Sequence, residues 1–102
     1  MKLVWTRLAK VDRQQIREYI ADENPAAALA LDELISEKAT RLTDHPELGR
    51  PGRVEGTREL VVHTNYLMVY DFRGGTVRVL RLLHAKRQWP PTSQAGRFPV
   101  SS

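Results

Sequence analysis

The chain has 102 residues, 16 Lys+Arg against 12 Asp+Glu, a formal charge of +4 and no cysteine. That length holds one domain, and 41% hydrophobic residues is enough for a core and too much for a disordered chain. Without cysteine there are no disulfides and no thiolate metal sites, which fits a reducing compartment. No apolar run approaches the roughly 20 residues a membrane span needs. The opening Met1–Arg7 has neither an apolar signal core nor a cleavage site, so the chain reads as cytoplasmic.

Lys2 to Thr6 reads as a first strand, with Leu3 and Trp5 on one side and Thr6 placed to cap the next element. From Leu8 to Glu23, the spacing of Ile16, Tyr19 and Ile20 gives one helical face. Asn24-Pro25 then ends one helix and starts another, because Asn is a good N-cap and Pro is favoured at the first helical position. The second helix runs through Ala28, Leu31, Ile35, Ala39 and Leu42 and stops before His45-Pro46. So tight a junction predicts an antiparallel helical hairpin. Glu47 to Thr57, with three Gly and one Pro, reads as a basic loop.

The rest reads as sheet. Arg58–His63 is one strand and Asn65–Phe72 the next, alternating Tyr66, Met68 and Tyr70 against Leu67, Val69 and Asp71. Arg73-Gly74-Gly75 is a hairpin turn. Thr76–Leu83 places Val77 and Val79 on one face and Leu80 and Leu82 on the other, which predicts a central strand. The domain is expected over 1–91, with 92–102 a flexible tail of small and polar residues. The order β-α-α-β-β-β predicts an α+β fold: the helical hairpin on one face of a small antiparallel sheet, the other face open.

Charge is uneven. The net is −2 through Glu47 and +6 from Leu48 onward, and Asp71 is the last acid, so Arg73, Arg78, Arg81, Lys86, Arg87 and Arg97 are expected to follow it with nothing to neutralise them. A basic half suits a polyanion, an acidic protein surface or plain solubility. No phosphate-cradling Gly-rich loop is present, the three His are far apart, and no Ser sits on a nucleophile elbow. The sequence therefore implies no cofactor and no metal. What remains is Arg, Lys, His and aromatics, an inventory suited to binding phosphates or stabilising a phosphorane-like transition state.

Several segments, in order, resemble the RelE/ParE toxins of bacterial type II toxin–antitoxin modules. These are Ile16-Arg17-Glu18-Tyr19-Ile20 with Asn24-Pro25-Ala26-Ala27, His45-Pro46-Glu47-Leu48-Gly49-Arg50, Gly56-Thr57-Arg58-Glu59-Leu60, Tyr66 to Tyr70, and Val79-Leu80-Arg81-Leu82-Leu83-His84. The resemblance implies a small toxin held inactive by a cognate antitoxin. It implies one of two targets: DNA gyrase, as for ParE-like members, or mRNA in the ribosome, as for RelE-like members. Fold alone does not separate them.

In the RelE-like case the resemblance points to Arg58 and Arg87 as catalytic cations, His84 as a proton-transfer group and Trp89 as a stacking platform. Arg50, Arg53, Arg81, Lys86 and Trp89 would contact nucleic acid or another target. Two groups of that pattern are missing: a strand Arg is replaced by Leu67, and a C-terminal Tyr by Ser93. The hairpin residues and Leu83-His84 look more ParE-like. Each residue also has a plain alternative: His84 bonding a backbone carbonyl, Arg58 pairing with a nearby acid such as Glu55, Arg50 and Arg53 solvated, Trp89 packed on Pro90. A module that binds antitoxin without toxicity is a third reading.

Overall fold

The structure is a computed structural model that describes residues 1–85. Its elements are β1 (Lys2–Trp5), α1 (Arg7–Ala21), α2 (Pro25–Arg41), β2 (Arg50–Pro51), β3 (Arg58–His63), β4 (Tyr66–Arg73) and β5 (Thr76–His84). Thr6 caps α1, its hydroxyl accepting from the Ala9 N–H at 3.1 Å, and Asn24 caps α2 by accepting from the Ala27 N–H at 3.0 Å. Pro25 occupies the first turn of α2, where its missing N–H has no partner to lose. The helix proper closes at Arg41, earlier than the position before His45-Pro46, and hydrogen-bonded turns carry the chain to His45.

The five strands form one sheet in the order β1-β5-β4-β3-β2. Two features depart from the expected antiparallel meander. Arg50-Pro51, expected as loop, pairs antiparallel with Glu59 and Arg58. The sheet is also mixed, because β1 lies parallel to β5, Leu3 opposite Val77 and Trp5 opposite Val79. No hairpin joins those two strands, so no turn dictates their relative direction; both helices and strands β2, β3 and β4 lie between them in the chain. The Gly74-Gly75 turn is as expected, with φ of 59° and 79°, the positive values a tight two-residue hairpin needs.

The core lies between the helices and the sheet. Ala9, Leu31, Ile35, Ala39 and Leu42 pack on Val62, Tyr66, Met68, Tyr70, Val77, Val79 and Leu82. Leu82 belongs with Val77 and Val79, not opposite them. Val69 pairs with Arg81 and Tyr70 with Val79, so Leu80 is an extra residue on β5. That bulge shifts the alternation by one and turns Leu82 to the helices. Leu67, Val69 and Leu83 alternate with the core residues and are buried too, so the second face is not open at its centre.

Candidate functional site

Two regions bring the candidate residues together. The first is the β2–β3 connection. Glu59 sits on β3 with its side chain 1% exposed, opposite Arg50 of β2. Its carboxylate accepts from the Arg53 backbone N–H at 3.0 Å and from Arg50 Nη2 at 3.4 Å, with Arg53 Nε at 3.8 Å. A buried carboxylate is costly unless its oxygens are met by donors, and this one accepts from two and has the Arg53 charge beside it. Arg50 and Arg53, 61% and 50% exposed, are therefore anchored at the surface rather than loosely solvated.

Arg58 is engaged differently. Its Nη1 donates to the Gly49 carbonyl at 2.7 Å and to the Glu47 carbonyl at 3.3 Å, and its guanidinium lies over the Phe72 ring at 5.8 Å. Beside it the buried Tyr70 hydroxyl donates to the Pro46 carbonyl at 2.6 Å and accepts from the Gly49 N–H at 2.8 Å. Burial pushes the Tyr70 phenol up, against the Gly49 hydrogen bond and the nearby Arg58 charge. Arg58 and Tyr70 together staple the 46–49 turn to the sheet.

The second region is a cleft of about 280 Å³ where α1 meets the end of the sheet. Asp12, Gln15, Ile16 and Tyr19 line it from the helix, and Tyr66, Leu82 and His84 from the strands. The backbone pairing of β1 with β5 ends at Val79, whose carbonyl accepts from the Thr6 N–H at 3.0 Å. Beyond that point Asp12 takes the place of a strand. Its carboxylate accepts from the Leu82 N–H at 3.0 Å and, in a forked pair, from Arg81 Nε at 2.7 Å and Nη2 at 3.1 Å. That pairing raises the Arg81 guanidinium still further above its ordinary value. His84 meets Tyr66 edge-on, ring centroids 5.3 Å apart. Burial, then the neighbouring Tyr19, push the Tyr66 phenol up.

These contacts revise the basic-half picture. Arg81, expected at a target surface, is tied to Asp12, 69 residues earlier, and Arg78 forks onto Asp71 across the β4–β5 pair at 2.6 and 3.0 Å. The expectation that nothing neutralises these two arginines is thus overturned, since strand pairing and helix packing bring each one an acid. Arg58, a catalytic cation in the RelE-like case or else the partner of a nearby acid, bonds the Gly49 and Glu47 carbonyls. Arg58 and His84 also stand apart along the sheet, His84 at one end and Arg58 beside the middle of β4. Arg58 is opposite Tyr70 and His84 opposite Tyr66, with β4 between their strands. Strand geometry then separates their Cα atoms by roughly 16 Å. Lys86, Arg87 and Trp89, with the tail, lie outside the described residues.

Residue-level reading missed Asp12 and Glu59, the two buried acids. Asp12 left a signal: it stands beside Val11 at helical spacing from Leu8 and Ile16, an acid on an otherwise apolar face. Glu59 left none, since an acid beside Arg58 reads as an ordinary surface pair. Among the described residues no group of His, Asp and Glu is placed to hold a metal ion, and no described helix is long and apolar enough to cross a membrane.

Comparison with known proteins agrees with the fold. A family model described as "ParE toxin of type II toxin-antitoxin system, parDE" matches residues 3–89. The putative toxin Y4kP of Sinorhizobium fredii is 34% identical over 87% of this chain and 93% of its own length. Toxin RelE2 of Caulobacter vibrioides is 36% identical over 84% of this chain and 97% of its own. Among solved structures, a chain of the chromosomal ParDE system from P. aeruginosa superposes with a TM-score of 0.75 at 27% identity, covering 84% of this chain and 97% of that one. YafQ from E. coli shares the fold, with a TM-score of 0.60 at 14% identity over 81% of this chain and 91% of its own. A two-helix hairpin on a mixed five-stranded sheet, matched along nearly its whole described length, places this chain in the RelE/ParE family of toxins from type II toxin–antitoxin systems.

Proposed function

We propose that this toxin arrests growth by poisoning DNA gyrase, that it acts in the cytoplasm, and that its cognate antitoxin, the partner its family implies, holds it inactive. The observation that carries the gyrase reading is the disposition of the basic side chains. Cleavage of RNA by a 2′-OH needs cations and a proton carrier converging on one phosphate. Here Arg58 is turned onto the 46–49 turn, Arg81 is locked by Asp12, and His84 stands apart from Arg58 along the sheet. Leu67, where the family pattern resembled has an Arg, is buried. The ParE family model and the ParDE likeness support the same reading.

The rival reading is ribosome-dependent mRNA cleavage by Arg58, Arg87 and His84. The contact of His84 with Tyr66 in an accessible cleft is the observation in its favour. Induction in growing cells separates the two. Gyrase poisoning predicts filamentous cells and a DNA-damage response, with intact mRNA by primer extension. Codon-linked mRNA ends that vanish on Arg87→Ala would contradict it.

A further inference from the structure

Two exposed arginines on one short connection share one buried carboxylate, an arrangement that surface solubility does not require. We propose that Glu59 is a positioning residue for the toxin's target-contacting loop: from inside the fold it aims the guanidinium groups of Arg50 and Arg53 outward, at an oxyanion of the target.

The geometry is specific. Glu59 reaches the loop three ways, through the Arg53 backbone N–H and both guanidinium groups. The backbone bond fixes the loop's path, and the side-chain contacts limit the swing of two long, flexible cations. Holding a guanidinium in advance lowers the entropy lost when it engages a partner. Residues 50–59 carry three Arg and two Glu, leaving one net positive charge, and Glu59 itself faces away from solvent. The outward surface therefore offers the cations of Arg50 and Arg53 beside one exposed acid, Glu55, while the counter-charge of Glu59 stays inside. Guanidinium groups recognise carboxylate or phosphate oxygens through forked hydrogen bonds. Gly52 keeps the loop close, since a Cβ there would meet the Thr57 hydroxyl at 2.4 Å. The Gly52 N–H donates to the Thr57 carbonyl at 2.8 Å, closing the loop at its base.

This rests on the reading that Arg50 and Arg53 face the target, and not on which target that is. The experiment uses growth arrest, which presupposes neither. The full chain is induced at graded levels, and potency is expressed per folded molecule, with melting followed in parallel. Arg50→Ala/Arg53→Ala takes donors from the buried Glu59 carboxylate and should melt lower than the unaltered chain, and per folded molecule it should need about tenfold more protein to arrest growth, the loss expected for charge-assisted contacts. Glu59→Gln should lose potency in the same direction, and Glu59→Asp should recover part of it. Ile35→Val, destabilised in the core, should keep full potency per folded molecule. Full potency in Glu59→Gln, or an equal loss in Ile35→Val, overturns the proposal. Should Glu59→Gln fail to fold, Glu59→Asp decides: a partial loss of potency per folded molecule supports the proposal, and full potency overturns it. Arrest by the unaltered chain with gyrase unaffected would defeat the gyrase reading and leave this one standing.

Discussion

At the scale of single residues, the polar atoms inside the fold act as fasteners. Tyr70 is the clearest case, a fully buried ring whose hydroxyl gives one hydrogen bond and takes another on the 46–49 turn. Tyr70→Phe leaves the Pro46 carbonyl and Gly49 N–H without that partner and should cost about 1–3 kcal/mol in denaturant unfolding. An unchanged midpoint would mean the turn is held elsewhere. Gly49→Ala should destabilise by a similar route, since its Cβ would meet the Tyr70 hydroxyl at 2.8 Å and the Glu59 carbonyl at 2.9 Å. A single sequence marks Tyr70 as an apolar member of an alternating strand, and that much is right. What it leaves out is the partner 24 residues away, because a hydroxyl's acceptor is a property of the turn's path and not of local pattern.

At the scale of elements, helices and strands are joined by ion pairs that cross them. Asp12 on α1 fastens β5 where β1 has run out. Asp12→Asn should cost about 2–3 kcal/mol, below the usual figure for a broken buried pair because Arg81 retains some exposure. Equilibrium unfolding measures it, and a loss under about half a kcal/mol would contradict the latch. Asp32 of α2 ties the hairpin to α1. Its hydrogen bond from Arg13, with the charges of Arg13 and Arg17, outweighs burial and holds its carboxyl below the ordinary 3.8. The folded state thus keeps that group ionised where the unfolded chain protonates it. The stabilisation is complete above pH 3.8 and drains away as pH falls through the lowered value. In an acid titration, Asp32→Asn should flatten the pH dependence of stability in that window; an unchanged slope would rule the pair out as its source.

The elements themselves were legible because their signals are local. Thr6, Asn24-Pro25 and Gly74-Gly75 mark boundaries through capping and turn chemistry that needs no distant partner. The parallel pairing of β1 with β5 and the Leu80 bulge were not legible, since both depend on which strand becomes the neighbour. The same reason explains why Arg78 and Arg81 looked unopposed: one acid lies across a hairpin and the other on the first helix. The site divides likewise. Arg50, Arg53 and His84 are candidates named from residue type and family resemblance, while the buried partners Glu59 and Asp12 emerge only from contacts across the chain.

At the scale of the whole molecule, a small sheet carries a helical hairpin on one face, with a cationic loop at one end and an aromatic cleft at the other. That separation is what supports the gyrase proposal. Chemistry on one phosphate needs its groups together, whereas occupying a large protein–DNA machine needs only surfaces of the right charge and shape. A chain this short also has a modest stability margin, which a bound antitoxin would raise by mass action. The central claim is that this member of the family acts as a gyrase poison. The most direct measurement is incubation of the purified full chain with gyrase and supercoiled plasmid, then treatment with denaturant and protease and electrophoresis. Linear DNA that rises with toxin, and disappears when antitoxin is added first, is the predicted result. Unbroken plasmid at every toxin concentration, from protein that cleaves ribosome-bound mRNA in parallel, would contradict the account.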